Sequence, residues 1–325
     1  MMRMTVLASG SKGNSTVISS SRTRVLVDAG LSCREILKRM ALAGEDPATL
    51  DAILVTHEHI DHVSGLAVLA RRLNIPVYFT EPTHRAWVRM VTPRTTMTYA
   101  KWLDHIQQEK EARAIAAASS EEIADDQTSG APSPAASSQR LNSPDLCESE
   151  PVTKANPSSL PAVEYFHSGT SFSIGDLDIT PFTIPHDAAD PCGFVFSAEG
   201  IRMAVATDLG YMPPNVKAAL KRIDALLLES NHDLEMLRDG PYPWSVKQRV
   251  LSRVGHLSNH ATAEFLSNDY DGGASYIVLG HLSESNNAPE LARIAAEQAL
   301  VNHPKLLGNR ILLAMQSTPL EPITI

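Results

Sequence analysis

Asp51-Ala52-Ile53-Leu54-Val55-Thr56-His57-Glu58-His59-Ile60-Asp61-His62 is the stretch on which the reading of this chain turns. An apolar run of strand length leads directly into three of the chain's twelve histidines. In extended chain, residues two apart point to the same side, so His57 and His59 can converge on one ion. Asp61 and His62 fall where the chain turns into a helix beginning Val63-Ser64-Gly65-Leu66, and can aim at a second ion beside the first. Imidazole with carboxylate suits zinc, manganese or iron. The bland alternative is a polar turn with surface histidines. Four ligand-type residues in six positions at the mouth of an apolar strand weigh against it.

The rest of the chain supplies more ligand types, each after a strand-like run. Thr183-Ile184-Pro185-His186, Val205-Ala206-Thr207-Asp208 and Ile277-Val278-Leu279-Gly280-His281 each put one at a strand's C-terminal end, where α/β folds gather their chemistry. A carboxylate such as Asp208 can bridge two cations held about 3.5–4 Å apart. His186 would complete the first ion's ligands and His281 the second's. Alone, each reads as a satisfied core or loop residue; beside the first motif they read as ligands.

The chain has 325 residues, 43% of them hydrophobic, which excludes a disordered protein or a stapled mini-protein. No apolar run approaches the roughly 18 residues of a membrane span, and the apolar part of Met1–Gly10 is too short for a signal peptide. Cys33, Cys147 and Cys192 are odd in number and widely spaced, against a disulfide framework. The expectation is a cytoplasmic protein with no membrane contact. Net charge is −9, which argues against a broad basic surface for nucleic acid. Ser119–Pro161, however, holds ten Ser, six Pro, seven acidic and two basic residues in 43, a low-complexity insert expected to be disordered that carries −5 of that charge. Two divalent cations would formally offset the −4 left on the rest.

Before the insert, strands are expected at Thr5–Leu7, Thr16–Ile18, Arg24–Val27, Ala52–Val55 and Val77–Phe79, with helices near Arg34–Ala43 and Ser64–Leu73 and an amphipathic helix over Thr98–Ala118. After it come strands at Ser171–Ile174, Asp178–Thr183, Gly193–Ala198, Met203–Ala206, Ala225–Leu228, Tyr276–Leu279 and Arg310–Met315. Helices are expected near Pro214–Ile223, Ser245–Arg253, Ala261–Leu266 and Pro289–Val301. Two halves, each a sheet with helices, suggest a layered α/β sandwich.

Val27-Asp28-Ala29-Gly30, the Thr56–His62 motif, His186, Asp208 and His281 together resemble the five-motif signature of the metallo-β-lactamase fold, over essentially the whole chain except the insert. The resemblance implies one domain over residues 1–325, a four-layer αβ/βα sandwich with the insert at 119–161, and two divalent metal ions (Zn or Mn) at one edge. It also implies that Asp28 orients the histidine loop without ligating metal. Read alone, Asp28 is an acid at a strand end before a turn.

Two metals sharing a water serve lactams, thioesters, lactones and phosphodiesters alike, so the ligands do not choose the substrate. Leu228-Glu229-Ser230-Asn231-His232 and Gly255-His256-Leu257-Ser258-Asn259-His260 resemble the carboxylate and histidine of the tRNase Z-like and RNase J-like branches. That assigns His256 as general acid to a departing 3′ oxygen and Glu229 as its brace, with His232 and His260 as alternatives for the acid. Ser9-Gly10-Ser11-Lys12-Gly13-Asn14-Ser15 is either a hairpin turn or a phosphate nest. Ser283 and Asn286, after His281, are either a second phosphate contact or helix-cap material. Tyr242 and Trp244 either stack on bases or, the preferred reading, anchor an irregular loop by packing. Cys192 reads as a small apolar filler.

These segments together, with Gly240-Pro241-Tyr242-Pro243-Trp244, are similar to the YycJ (WalJ) subgroup, which implies a nuclease acting 5′ to 3′ on DNA. The insert is foreign to that pattern, and the 73 positions from Asp208 to His281 leave no room for the extra domain of the RNase J group. The expected enzyme is a dinuclear phosphodiesterase in which bridging hydroxide, on metals ligated in part by Asp61, attacks phosphorus. Its rivals are a thioester or lactone hydrolase of the same fold and a non-catalytic module stabilised by metal. Nothing in the sequence names a protein partner or an oligomeric state.

Overall fold

The computed structural model describes residues 1–92, 157–301 and 308–325. Among them, β1 (Arg3–Ala8), β2 (Ser15–Ser19), β3 (Arg24–Val27), β4 (Ala52–Leu54), β5 (Val77–Phe79) and β6 (Val163–Tyr165) form one sheet, with β14 (Ile323–Thr324) pairing outside β1. A second sheet runs β13-β12-β11-β10-β9-β8-β7, with β7 (Phe172–Ile174), β8 (Leu177–Thr183), β9 (Cys192–Ala198), β10 (Ile201–Ala206), β11 (Ala225–Glu229), β12 (Tyr276–Gly280) and β13 (Arg310–Leu313).

Strand periodicity builds the layers. Met4, Val6, Val25, Val27, Ala52 and Leu54 face Ile179, Phe194, Phe196, Met203, Val205 and Leu227 between the sheets. The alternate residues Leu7, Leu26, Ile53 and Val55 face outward onto Ile36, Met40, Leu66, Leu69 and Trp87, which lie on helices Cys33–Leu42, Leu66–Leu73 and Glu81–Val91. On the second sheet Ala204, Ala206, Leu226, Leu228, Ile277 and Leu279 pack against Val216, Phe265, Leu266, Ala292 and Ala296. These come from helices Pro214–Ala219, Asn259–Asn268 and Pro289–Val301. The central strands are therefore apolar on both faces, as sheets covered on both sides require. Each fully buried large side chain contributes about 1.5–3 kcal/mol. The result is the expected four-layer sandwich. Cys192 lies in the core between the sheets, fully buried.

Several elements depart from expectation. Helices Ile60–Val63 and Leu234–Asp239 and strands β6 and β14 are too short for periodicity to announce them; the eleven-residue helix Glu81–Val91, which packs Trp87, Val88 and Val91 on the core, goes beyond the elements expected. Helix Pro214–Ala219 stops short of Ile223. The helix expected over 98–118 and residues 119–156 of the insert lie outside the described residues. The insert's last five residues are described: Arg71 donates to the Ser159 carbonyl at 2.8 Å, and Leu160 packs on the helix side of the first sheet. The flanks, Met1–Val91 and Asn156–Ile325, join in one compact unit.

In each sheet an antiparallel half leads into a parallel half, β3 to β6 and β10 to β13. The C-terminal ends of the parallel strands therefore gather at one edge of each sheet. Gly30, just beyond β3, lies where the loops of that edge meet: Asn14 N–H donates to the Asp61 carbonyl at 2.7 Å, and Gly30 N–H to the Asn14 carbonyl at 2.9 Å. A Cβ on Gly30 would stand 1.7 Å from the Asp61 carbonyl oxygen and 2.6 Å from Asn14 N. Gly30→Ala is expected to destabilise the chain by about 1–3 kcal/mol, the usual scale of overpacking, read as a lower urea midpoint.

Candidate metal centre

Asp28 follows β3, His57–His62 follow β4, His186 follows β8, and Asp208, Glu229 and His281 end or follow β10, β11 and β12. Asp28, Asp208 and His281 have φ of 60°, 64° and 54°, left-handed values that non-glycine residues adopt at a cost of order 1–3 kcal/mol. That conformation turns the chain sharply off each strand end.

The seven residues expected as ligands come together. Ligand atoms of His57, His59 and His186 lie within 4.8 Å of one another, as do those of His57, His62 and Asp208, and those of Asp61, His62 and His281. A fourth group joins Asp208, Glu229, His256 and His281. Asp208 thus stands between the first imidazole group and the second. His57 Nε2, Asp208 Oδ2 and His281 Nε2 are buried without a hydrogen-bond partner. A buried polar atom left so costs roughly 1–3 kcal/mol, and convergent nitrogen and carboxylate donors with no protein partner fit divalent metal binding.

Protein groups behind the ligands fix their orientation. Asp28 accepts from His62 Nδ1, Thr56 Oγ1 and Thr56 N, each at 2.8 Å, leaving His62 Nε2 toward the cluster. Glu229 Oε1 accepts from His256 Nδ1 at 2.8 Å and from His281 Nδ1 at 2.9 Å; its Oε2 accepts from the backbone N–H of Leu209 and Leu257. Glu229 therefore braces His281 as well as His256, a double role the sequence reading missed. It also missed Thr56 and Asp187, whose carbonyl lies 3.2 Å from His59 Nε2. Nothing in their local sequence marks either as a partner. Of the alternative acids, His232 is buried with both ring nitrogens unpartnered, and burial pushes it down to about 4; His260 is exposed on helix Asn259–Asn268.

Asp28, Asp208 and Glu229 are buried and Asp61 nearly so, which concentrates negative charge among the imidazoles. Burial alone would lower His62, but the carboxylates of Asp208, Asp28 and Asp61 raise it to about 9. His281 is likewise raised against its own burial by Asp208, Asp61 and Glu229. His57 and His186 are pushed down by burial and, in part, by neighbouring imidazoles. Glu229 is held well below the usual carboxylate range by His256 and His281 despite complete burial.

The residues considered for phosphate divide by geometry. Ser9 Oγ accepts from His281 N at 2.7 Å, and Ser15 Oγ donates to the Asp28 carbonyl at 2.9 Å. Asn14 Oδ1 accepts from Gly10 N at 2.9 Å, and its Nδ2 lies 3.0 Å from His62 Nε2. These three buried side chains spend their polar atoms on the protein, positioning the strand ends. Gly13 packs so closely that a Cβ would stand 2.6 Å from the Gly30 carbonyl oxygen. Lys12 is exposed and paired with Glu284 at 2.5 Å. Asn286 is buried and donates to Ser283 Oγ, its Oδ1 left unpartnered. Ser283, with Ser11, Asn231, Tyr242, Val246 and Arg249, lines a cleft of about 260 Å³ that also takes in Asp61, Asp208 and His281. Trp244 is 68% exposed, so it does not anchor its loop by burial.

The sequence profile of the metallo-beta-lactamase superfamily matches residues 8–246. The chain is 33% identical over 292 residues to the exodeoxyribonuclease WalJ of Streptococcus pneumoniae, covering 90% of this chain and 86% of that protein. It is 32% identical over 299 residues to the exodeoxyribonuclease YycJ of Bacillus anthracis, covering 92% and 89%. Among solved structures, the metallo-beta-lactamase fold protein YhfI of Bacillus subtilis superposes with a TM-score of 0.58 at 13% identity, covering 99% of this chain and all of that one.

Two outcomes test the centre. Asp28→Asn is expected to weaken divalent-metal affinity about 10- to 100-fold, the usual effect of removing a ligand's brace, in competition with a chromophoric chelator. Zinc added to chelator-stripped protein at pH 7 is expected to release protons, because His62, raised to about 9, must lose one to ligate. Calorimetric heats should differ between phosphate and Tris buffers at pH 7. Buffer-independent heats at pH 7 would count against the protonated cluster.

Proposed function

This chain belongs to the metallo-β-lactamase superfamily, and from that premise we propose that it is a metal-dependent phosphodiesterase that degrades DNA from an end, 5′ to 3′. Its ligands are His57, His59 and His186 for one divalent cation, zinc or manganese, and Asp61, His62 and His281 for a second, with Asp208 between them. When bound, the cations supply a nucleophile at neutral pH and positive charge at the phosphoryl oxygen.

The observation that carries the reading is the hydrogen bond of 2.8 Å from His256 Nδ1 to Glu229 Oε1 at the wall of the metal cleft. Cleaving the bond from phosphorus to the 3′ oxygen of a nucleic-acid strand expels a poor alkoxide leaving group that needs a proton, whereas a thioester expels a thiolate that does not. Glu229 fixes the imidazole with Nδ1 inward, and no described residue bonds Nε2. His256 Nε2–H therefore delivers the proton to the departing 3′ oxygen. Because Glu229 also holds His281, the acid and a metal ligand keep a fixed spacing. The relatives named for exodeoxyribonuclease activity support DNA as substrate. Among the described residues no helix is long and apolar enough to cross a membrane. Cys33 and Cys192 are free thiols, which agrees with a cytoplasmic setting.

End-labelled single- and double-stranded DNA, given manganese or zinc one at a time, should yield a ladder shortening from the 5′ end. Asp208→Ala should abolish it. His256→Ala should lower kcat about 10²- to 10⁴-fold while retaining metal. Turnover of thioesters with no cleavage of DNA would overturn the assignment.

A further inference from the structure

Arg249 is the one lysine or arginine among the residues lining the metal cleft. Its side chain is 56% exposed, on helix Trp244–Val250. Its Nε and Nη2 donate to the two carboxylate oxygens of Asp187 at 2.5 and 3.0 Å. Asp187 follows the ligand His186, and its own carbonyl lies 3.2 Å from the ring of the ligand His59. The guanidinium is thus aimed by the segment that carries the metal ligands. Nη1 makes no hydrogen bond among the described residues, and a guanidinium offers five donors in a rigid fork. An exposed ion pair of this kind contributes about 0–1 kcal/mol to stability, so fold stability gives little account of a cation in a cleft that holds Asp61 and Asp208.

We propose that Arg249, aimed by Asp187, forms a subsite for the phosphate adjoining the scissile one on a single nucleic-acid strand. This rests on the phosphodiesterase reading above. The scissile phosphate belongs beside Asp61, Asp208 and His281, the candidate ligands in the cleft. Arg249, more than half exposed in the same cleft, meets its neighbour. Tyr242 and Val246, also lining the cleft, offer apolar surface to a base, which inorganic phosphate would not use.

The test uses the full chain with manganese, a single-stranded oligonucleotide, and the variants Arg249→Gln and Arg249→Lys over a salt series. Arg249→Gln should raise KM about 10- to 100-fold, the effect of losing a charge-assisted bond, with a smaller change in kcat. The slope of log(kcat/KM) against log salt should become shallower by about 0.7, the value of one strand phosphate contact. Arg249→Lys should restore the slope and only part of KM, since it keeps the charge and loses the fork. An unchanged KM and slope in Arg249→Gln, or a fall in kcat with the slope unchanged, overturns the subsite while cleavage by the unsubstituted protein stands. Absence of cleavage by the unsubstituted protein overturns the phosphodiesterase reading instead.

Discussion

Glu229 has no solvent exposure, and its two oxygens accept from four groups that no single element could supply. Leu209 N–H comes from the turn after β10, His281 from the end of β12, and His256 and Leu257 N–H from the loop before helix Asn259–Asn268. A buried carboxylate short of partners is heavily penalised, so the ends of three neighbouring strands and one loop are tied to a single point. Asp28 does the same on the first sheet, joining the end of β3 to Thr56 and His62 beyond β4. The sheets supply stiffness; these two acids convert it into an arrangement of imidazoles.

Concentrated charge and backbone strain coincide at this edge. Asp28, Asp208 and His281 all take left-handed conformations, and Asp28 and Asp208 are buried carboxylates, Asp208 with Glu229 close by. Neither feature favours folding by itself. Both become tolerable when the carboxylates share imidazolium protons or divalent cations, since a buried charge needs a partner of opposite sign. The apolar layers on both faces of both sheets provide the stability against which that local cost is set.

Net charge alone is a poor guide to such a site. The chain is acidic and its cleft takes in Asp61 and Asp208, yet such acids are the groups suited to gather cations. With divalent cations bound there, a polyanion approaching the cleft would meet their field and not the average charge of the surface.

By itself the sequence determined most strand positions, though not β6 and β14, and the order in which candidate ligand types follow those strands. Strand alternation and apolar runs are local patterns, and the histidines and aspartates stand directly after those runs. The family resemblance added the layer order and the non-ligating place of Asp28. Only the tertiary structure decided which residues stand behind the ligands. Glu229 reaches His281 across 52 positions, Asp187 reaches Arg249 across 62, and Ser9 reaches His281 N–H across 272. Ser9, Asn14 and Ser15 look like a phosphate cradle in sequence because small polar residues in a glycine turn suit either role. Their burial turned those polar groups inward to hold strand ends. Such pairings depend on which strand ends meet when two sheets stack, and no local periodicity records that.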